Sequence, residues 1–380
     1  MRVCYISTYP PIECGIATYT QYLSDAVKVC RKEVVIISQV GASGEKVFPI
    51  FSPGDNDISN KIFHLASKLT PDVVHIQHEF GLYGSEHGIQ IIDFILRCKI
   101  AGVPVVTTLH TINENAEISE HIILENIIKN SSAIIVHEEF QKKIIIKNFG
   151  FNDKIFVIAH GVRNCNHHPE AKELLNIEDK KVILLAGYFR PTKCFDKIIK
   201  LFPDVVKKIE NAVLLVAGKM RGLEYSDYQQ YFFNLINTSP VKKNINVLRG
   251  QFPQHTFDII MSAADVVVLP YERGAQSGIL AQSSAFNIPA VTSNLLSFKI
   301  WNENSGGGLT ANNDKDYIRH ICNILTDKKL QIKLKNNIKE YNKDIFWSEI
   351  AKKHLLVYEK MINVPYGEAE YFYIPGKQDK

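Results

Sequence analysis

Short apolar runs rich in β-branched residues alternate with longer amphipathic stretches along most of the chain. Each run is almost continuously apolar, which is typical of a parallel strand that is covered on both faces. The first series of predicted strands is Val3–Ser7, Val34–Ser38, Val73–Gln77, Val105–Leu109, Ala133–His137 and Phe156–Ile158. The second series is Val182–Ala186, Val213–Ala217, Ile245–Leu248, Val266–Leu269 and Ala290–Thr292. Two such series predict two similar doubly wound α/β domains.

A polar segment separates the two series and predicts the domain boundary. This segment is Arg163–Lys181, and it contains the helix-breaking Pro169. Near the end of the chain, apolar residues recur at helical spacing in Trp347–Ile362, which predicts a helix with one buried face. The expected units are therefore a domain at 1–165, a domain at 166–345, a helix at 346–363 and a tail at 364–380.

The composition is that of an ordinary globular protein. Apolar residues make up 46% and charged residues 22% of 380 residues. The net charge of +4 is too mild to indicate a nucleic-acid partner, so none is expected. Seven cysteines without a CxxC pair argue against a disulfide framework or a zinc ribbon. We see no leader before the first strand and no apolar run of about 18 residues, so we expect a cytoplasmic protein.

Ligands of open α/β sheets bind beyond the carboxyl ends of the strands, so the residues that follow each strand are informative. After the first strand, Pro10 and Pro11 force an extended loop and Gly15 permits close backbone approach. A helix then begins near Ile16, and its N-terminus can face an anion. A plain strand-to-helix turn is the alternative.

Histidines follow the third and fourth strands. His78 and Glu79 follow the third strand, and if the strand continued, His75 and His78 would fall on opposite faces. Neither HExxH nor HxxEH is present, so we expect no metal site and interpret this segment as a polar loop. His110 follows the fourth strand, where an imidazole can hydrogen-bond a sugar hydroxyl or stabilise a phosphate.

The second half carries a cationic pair after its first strand. Arg190 and Lys193 stand at a strand-to-helix transition, which favours a pyrophosphate clamp. Two solvated surface cations are the alternative. Later, Ser277 and Gly278 would present amides and a hydroxyl at a helix N-terminus. We interpret Ser305–Leu309 as a flexible turn. Because GxxxxGK[ST], GxSxG and GxGxxG are missing, a P-loop kinase, a hydrolase or a dehydrogenase is disfavoured.

Together, residues 1 to about 362 resemble the GT-B glycosyltransferases of family 4, whose members are retaining enzymes. The segments that carry the resemblance are Pro10–Gly15, Val105–His110, Ile155–Val162, Gly187–Lys193, Ala263–Pro270 and Gln276–Pro289. The resemblance implies two facing Rossmann-like doubly wound domains with an interdomain cleft. The N-terminal domain would be the acceptor side, the C-terminal domain would bind the nucleotide sugar, and the last helix would cross back to the N-terminal domain.

The resemblance also assigns roles to individual residues. The implied catalytic residues are His110, which would contact the transferred sugar, and Arg190, Lys193 and Gln276. The implied donor-binding residues are Gly15, Gly187, Ser277, Gly278, Ile279, Leu280 and Ser284. His78 and Glu79 are placed on the acceptor side. Two glutamates of the family pattern fall on Gln276 and Ser284, which changes the contact expected with the donor ribose.

The implied reaction is retaining transfer of a hexose to a glycan or lipid-linked acceptor, as in polysaccharide biosynthesis. GDP-mannose and UDP-glucose are the leading donors, and the nucleotide sugar is a co-substrate with no cofactor or metal required. Lys142, Lys143 and Lys147 could touch the inner face of a membrane peripherally, or form a solvated helix face. A sugar-nucleotide epimerase and a non-catalytic sugar-nucleotide-binding subunit remain as alternatives.

Overall fold

The computed structural model describes residues 1–114, 116–219, 226–273 and 277–363. The chain divides into two compact units. Unit 1 comprises Met1–Gly161 together with the residues from Trp347 onward, and unit 2 comprises Val162–Phe346. Gln276 and the predicted tail at 364–380 lie outside the described residues.

The described part of unit 1 contains one parallel sheet of seven strands. Its strands are β1 (Arg2–Ile6), β2 (Glu33–Gln39), β3 (Val47–Phe51), β4 (Val73–His78), β5 (Val105–Leu109), β6 (Ala133–Val136) and β7 (Ile155–Val157). Its first helices are α1 (Gly15–Val29), α2 (Ile58–Leu69), α3 (Gln90–Ile100), α4 (Ile118–Asn130) and α5 (Glu139–Phe149). The strand order is β3-β2-β1-β4-β5-β6-β7. The side chains of β4 and β5 are buried throughout, because helices cover the sheet on both faces.

Unit 2 repeats this architecture with six strands among its described residues. A short helix, α6 (Ala171–Leu174), precedes the sheet. The strands are β8 (Lys181–Ala186), β9 (Ala212–Gly218), β10 (Ile245–Arg249), β11 (Val266–Leu269), β12 (Ala290–Thr292) and β13 (Gly308–Thr310). The other helices are α7 (Phe195–Val206), α8 (Ser226–Asn237), α9 (Gln254–Ser262), α10 (Gly278–Ala285), α11 (Leu296–Ser305), α12 (Asp314–Thr326) and α13 (Lys328–Asn342). The strand order is β10-β9-β8-β11-β12-β13.

Both sheets reverse their strand order at an equivalent point. In unit 1 the reversal lies between β1 and β4, and in unit 2 it lies between β8 and β11. Loops that leave the two central strands diverge to opposite faces there and open a crevice at the carboxyl edge of the sheet, where doubly wound proteins bind ligands. The loops that follow β1, β4, β8 and β11 therefore border the two crevices.

The last described helix, α14 (Trp347–Ile362), belongs to unit 1 and packs against α1 and β4. Its Tyr358 hydroxyl lies 3.2 Å from the hydroxyl of Tyr5 on β1. Both side chains are fully buried, so the helix is part of the core of unit 1. No helix within the described ranges has the length and apolarity that crossing a bilayer requires.

Two edge strands depart from the sequence-based expectations. Strand β3 was not predicted, because it is half-exposed and interrupted by Pro49, which is typical of an edge. Ser305–Leu309 was predicted to be a flexible turn, but Gly308 and Leu309 lie in β13, paired with β12. A side chain at Gly308 would overlap the side chain of Asn302, so glycine here permits close packing rather than flexibility.

Candidate functional site

The loop after β8 holds a glycine that no other residue could replace without strain. Gly187 has φ of 117°, in the left-handed region. A β-carbon there would lie 3.5 Å from Ile279 Cγ1, so the loop runs close to the first turn of α10. Gly187 and Ile279, both predicted to bind the donor, are therefore neighbours.

The cationic pair follows immediately. Arg190 is extended, and a single 3-10 turn, Pro191–Lys193, leads into α7. Burial, and then the charge of Arg190, lower the pKa of Lys193 to about 8. The positive charges of Arg190 and Lys193 therefore repel each other in a partly desolvated environment. Among the described residues, no carboxylate forms an ion pair with either of them, and the buried Arg190 Nε has no hydrogen-bond partner.

A tyrosine connects this pair to the loop after β11. The ammonium nitrogen of Lys193 lies 3.5 Å from the centroid of the Tyr271 ring. Burial raises the pKa of the Tyr271 hydroxyl, and the Ser277 side chain beside it opposes this shift, although no hydrogen bond of normal geometry is completed. Lys193 and Ser277 thus meet at one ring. Sequence reasoning missed Tyr271, whose signal was an aromatic residue directly after the strand-ending Pro270.

The N-terminus of α10 completes this edge of unit 2. The Ser277 hydroxyl accepts a hydrogen bond from the backbone N–H of Leu280 at 3.3 Å and caps the helix. Gly278 is exposed, with open space where a side chain would stand. Leu280 is buried, so only its backbone is available to a ligand. The first-turn amides and the two cations together form a positive edge for an anion.

Ser284 was predicted to bind the donor, but its hydroxyl forms a hydrogen bond inside unit 2. It is fully buried, and it donates a hydrogen bond to Asn342 Oδ1 at 2.6 Å. The Asn342 amide in turn donates to the carbonyl of Ser284 at 2.7 Å. In this structure Ser284 joins α10 to α13. Gln276, predicted to be catalytic, lies outside the described residues.

A cavity of about 250 Å³ opens at the carboxyl ends of β9 and β10. Its lining residues are Phe189, Lys219, Gln229, Phe233, Arg249 and Gly250. The Arg249 guanidinium lies 4.5 Å from the centroid of the Phe233 ring. Phe189 directly precedes Arg190, so this cavity adjoins the cationic pair. Aromatic and cationic groups around such a volume suit a planar, polar ring.

The corresponding edge of unit 1 carries histidines instead of cations. His78, His110, His137 and His160 follow or end the neighbouring strands β4, β5, β6 and β7. Burial lowers the pKa of each, to about 4 for His78 and about 3 for His137. These imidazoles are therefore neutral at physiological pH. Sequence reasoning selected only His78 and His110, although His137 and His160 also follow predicted strands.

The oxygen atoms beside His137 and His110 show which ring nitrogen of each carries the proton. His137 Nδ1 lies 3.0 Å from the carbonyl oxygen of Ile158, which can only accept, so the proton is on Nδ1. His110 Nε2 lies 2.8 Å from Gln77 Oε1, which can only accept, so neutral His110 carries its proton on Nε2 and donates to that oxygen. His137 Nε2 and His110 Nδ1 lie 3.4 Å apart.

Gly15 and the predicted acceptor-side pair lie on this same edge of unit 1. Gly15 is the first residue of α1, with open space at its β-carbon position. His78 is buried between the rings of Phe80 and Tyr83. The Glu79 carboxylate accepts from the Thr111 hydroxyl at 2.7 Å, and burial raises its pKa. Across the part of the chain that the structure describes, no group of three or more His, Cys, Asp or Glu side chains is arranged to hold a metal ion.

Two family models match successive parts of the chain. The family described as Glycosyltransferase Family 4 matches residues 15–163, and the family described as Glycosyl transferases group 1 matches residues 168–343. The first match falls in unit 1 and the second in unit 2. The chain belongs to the GT-B glycosyltransferases.

The relatives of this GT-B glycosyltransferase are distant in sequence. YtcC of Bacillus subtilis (strain 168), a protein named as a glycosyltransferase, is 23% identical over 257 residues. That match covers 63% of this chain and 62% of YtcC, so it spans less than two thirds of the relative's length.

Solved structures match over almost the whole chain. Anabaena Alr3699/HepE in complex with UDP superposes with a TM-score of 0.76 at 13% identity, covering 95% of this chain and 100% of that one. A second structure of that protein contains UDP-glucose. Sucrose-phosphate synthase from Thermosynechococcus elongatus superposes with a TM-score of 0.77 at 14% identity, covering 95% and 99%. The predicted family, enzyme class and two-domain Rossmann-like fold are confirmed, and the retaining course of this GT-B glycosyltransferase stays a prediction.

Proposed function

We propose that this GT-B glycosyltransferase takes a hexose from a nucleotide-diphosphate sugar and transfers it to a hydroxyl of a glycan or lipid-linked acceptor. The observation that carries the proposal is the positive edge of unit 2, where no carboxylate among the described residues forms an ion pair with either cation. Arg190, Lys193 and the N-terminus of α10 meet there around Tyr271. Partly buried cations without a carboxylate partner are costly, so they are kept where an anionic ligand supplies the missing charge.

The diphosphate is the part of the donor that this edge would bind. In the reaction, the bond between the sugar anomeric carbon and the diphosphate oxygen breaks, and a bond to the acceptor oxygen forms. Negative charge grows on the departing diphosphate while the acceptor hydroxyl loses its proton to it or to solvent. Arg190, Lys193 and the amides of Gly278 and Ile279 would stabilise that charge, and fixed charges of this kind are the largest contribution in many enzymes.

The donor we favour is UDP-glucose, with GDP-mannose as the second candidate. The complexes of the Anabaena protein with UDP and UDP-glucose support the first choice. The cavity beside Phe189 and Arg249 has the size and lining for a nucleobase, and we propose that it takes the base of the donor. Retention of configuration, and the roles of Gly15, His78, Glu79 and His110 in unit 1, belong to the same proposal.

The proposal is tested first by calorimetric titration of the full chain with UDP, GDP, UDP-glucose and GDP-mannose. We expect one nucleotide and its sugar conjugate to bind, and product to form only when an acceptor pool is added. Lys193→Met should lower turnover about 10²-fold or more, because charge stabilisation of the leaving group is lost. The matched control is Lys197→Met, an exposed lysine on α7 that lies 3.8 Å from Asp314.

Three results would contradict the proposal. Unchanged turnover of Lys193→Met at saturating donor would remove Lys193 from the reaction. An epimerised sugar formed from donor alone would favour the epimerase. Donor binding without consumption in the presence of any acceptor would favour a non-catalytic sugar-nucleotide-binding subunit.

A further inference from the structure

We propose that Tyr271 is a positioning residue, which holds the Lys193 ammonium on the face of its ring so that the charge is in place for the donor diphosphate. This inference rests on the proposed function, because it assumes that Lys193 binds the diphosphate. It adds a residue to that site which sequence reasoning did not select. Three features of the described residues support it: the short contact between Lys193 and the ring, the immobility of the ring, and the lack of an ion-pair partner for Lys193.

The ring contact is short and is fixed by the backbone. Lys193 Nζ lies 3.5 Å from the centroid of the Tyr271 ring, well inside the range of a cation–π interaction. The backbone N–H of Glu272 donates to the carbonyl of Thr192 at 3.0 Å. The loop that carries the ring and the turn that carries the lysine are therefore joined next to the contact itself.

The ring cannot turn away from the lysine. Tyr271 is 2% exposed, and its ring packs against Phe195 on α7 and Phe298 on α11. Both phenylalanines are buried in the core of unit 2. A lysine side chain has a flexible four-carbon stem, which ordinarily loses rotamer freedom when it binds a phosphate. Holding the ammonium beforehand on an immobile ring removes part of that cost.

An aromatic face is a suitable partner here because it carries no net charge. A carboxylate at this place would neutralise the lysine, and the diphosphate would have to displace it. The ring attracts the cation through its quadrupole and leaves the full positive charge available to a ligand. This fits the observation that, within the described ranges, Lys193 forms no ion pair although Arg190 is close enough to act on its pKa.

The test compares UDP affinity in variants that keep or remove the ring. Tyr271→Leu should weaken UDP binding about tenfold, and Tyr271→Phe should stay within about twofold of the natural protein, since its ring remains. The matched control is Tyr317→Leu. Tyr317 is also buried and has Lys197 over its ring at 5.9 Å, so it reports what the loss of a buried ring does to unit 2 in general. Its UDP affinity should not change.

A double-mutant cycle separates positioning from a merely structural role. In a Lys193→Met background, Tyr271→Leu should lose most of its effect on UDP binding, because the ring acts through the lysine. If Tyr271→Leu does not fold, fluorinated phenylalanines at position 271 replace it. Successive fluorines withdraw charge from the ring face at nearly constant shape, and UDP affinity should fall with each one.

The outcomes distinguish this inference from the proposed function. If Lys193→Met leaves UDP binding unchanged, the proposed role of Lys193 fails. If Lys193→Met weakens binding but the ring variants do not, only the role of Tyr271 fails. An equal loss from Tyr271→Leu in both backgrounds, or equal affinity along the fluorinated series, would also overturn it.

Discussion

The two units have equivalent strand orders, but the polar side chains at the carboxyl edges of their sheets differ in charge. In unit 1, four histidines follow neighbouring strands, and His110 donates to the Gln77 side-chain oxygen while His137 donates to the Ile158 carbonyl. In unit 2, Arg190 and Lys193 stand partly buried, and no carboxylate among the described residues forms an ion pair with either of them. The first edge carries neutral imidazoles, and the second carries positive charges.

This contrast separates the stability of the fold from its function. Buried imidazoles that are hydrogen-bonded, such as His110 and His137 in unit 1, fix one arrangement of side chains. A partly buried charge without a counter-charge destabilises the empty protein, and a bound anion restores the balance. We therefore expect acid to disturb unit 1 and alkali to disturb ligand binding by unit 2.

The largest expected effect is the loss of stability of unit 1 in acid. His78, His137 and His354 have pKa values lowered by burial to about 4, 3 and 4, from an ordinary value of 6.5. The unfolded chain binds protons as pH falls below about 6.5 and the folded chain does not, so stability is fully present above that pH and falls toward about pH 4. At about 1.4 kcal/mol for each pH unit of separation, the loss reaches several kcal/mol.

Hydrogen exchange of the full chain between pH 7 and 4.5, corrected for the intrinsic rate, measures this loss in each unit. Glu138, whose pKa burial raises to about 7, and Glu79, whose pKa burial also raises, act in the opposite sense but are two groups against three. His354→Leu should reduce the pH dependence by about one proton. Equal loss of protection in both units would contradict the prediction that acid destabilises unit 1 more than unit 2.

Most of the fold could be predicted from the sequence, because buried parallel strands are almost continuously apolar. Strands such as Ala212–Gly218 and Val266–Leu269 are recognisable in this way. The edge strands do not. Val47–Phe51 contains a proline and is half-exposed, and Gly308–Thr310 has only three residues. Their pairing depends on neighbours that are distant in the sequence.

The place of a candidate site residue was predictable where it lies in the segment between a strand and the next helix, and unpredictable where its contacts depend on a distant partner. Arg190, Lys193 and Ser277 belong to the first kind, and their roles stay predictions. Tyr271 belongs to the second, since its ring matters only because Lys193 lies on it. Ser284 was selected by position in a motif, but Asn342 on α13 holds its hydroxyl in the core. No pattern in the sequence around Ser284 indicates its contact with Asn342.

The second prediction concerns the charge of Lys193. Burial and the charge of Arg190 lower its pKa to about 8 in the empty site, and a bound diphosphate favours the charged form. As pH rises through about 8 the free protein loses this proton, so the dissociation constant of UDP should rise about tenfold between pH 7 and 9. Calorimetry in two buffers of different ionisation enthalpy should also show proton uptake on binding.

Lys193→Met provides the control for this pH dependence, because Arg190 stays charged throughout the range. In that variant UDP should bind weakly and with little change from pH 7 to 9. A slope that persists without Lys193 would assign the titration to another group and would weaken the contrast between the two edges.

The smallest expected effect separates the capping of α10 from its contact with the ligand. Ser277→Ala removes the hydroxyl that accepts from the Leu280 N–H, and should lower the free energy of unfolding by about 1 kcal/mol. Asn313→Ala is the matched control, since the Asn313 side chain caps α12 by accepting from the Asp316 N–H at 3.0 Å. Both variants should lose similar stability in denaturant titrations. Only Ser277→Ala should also weaken UDP binding, by about threefold, because fraying of α10 misaligns amides that face the anion. If the two variants bind UDP equally well, the positive edge of unit 2 consists of its two cations alone.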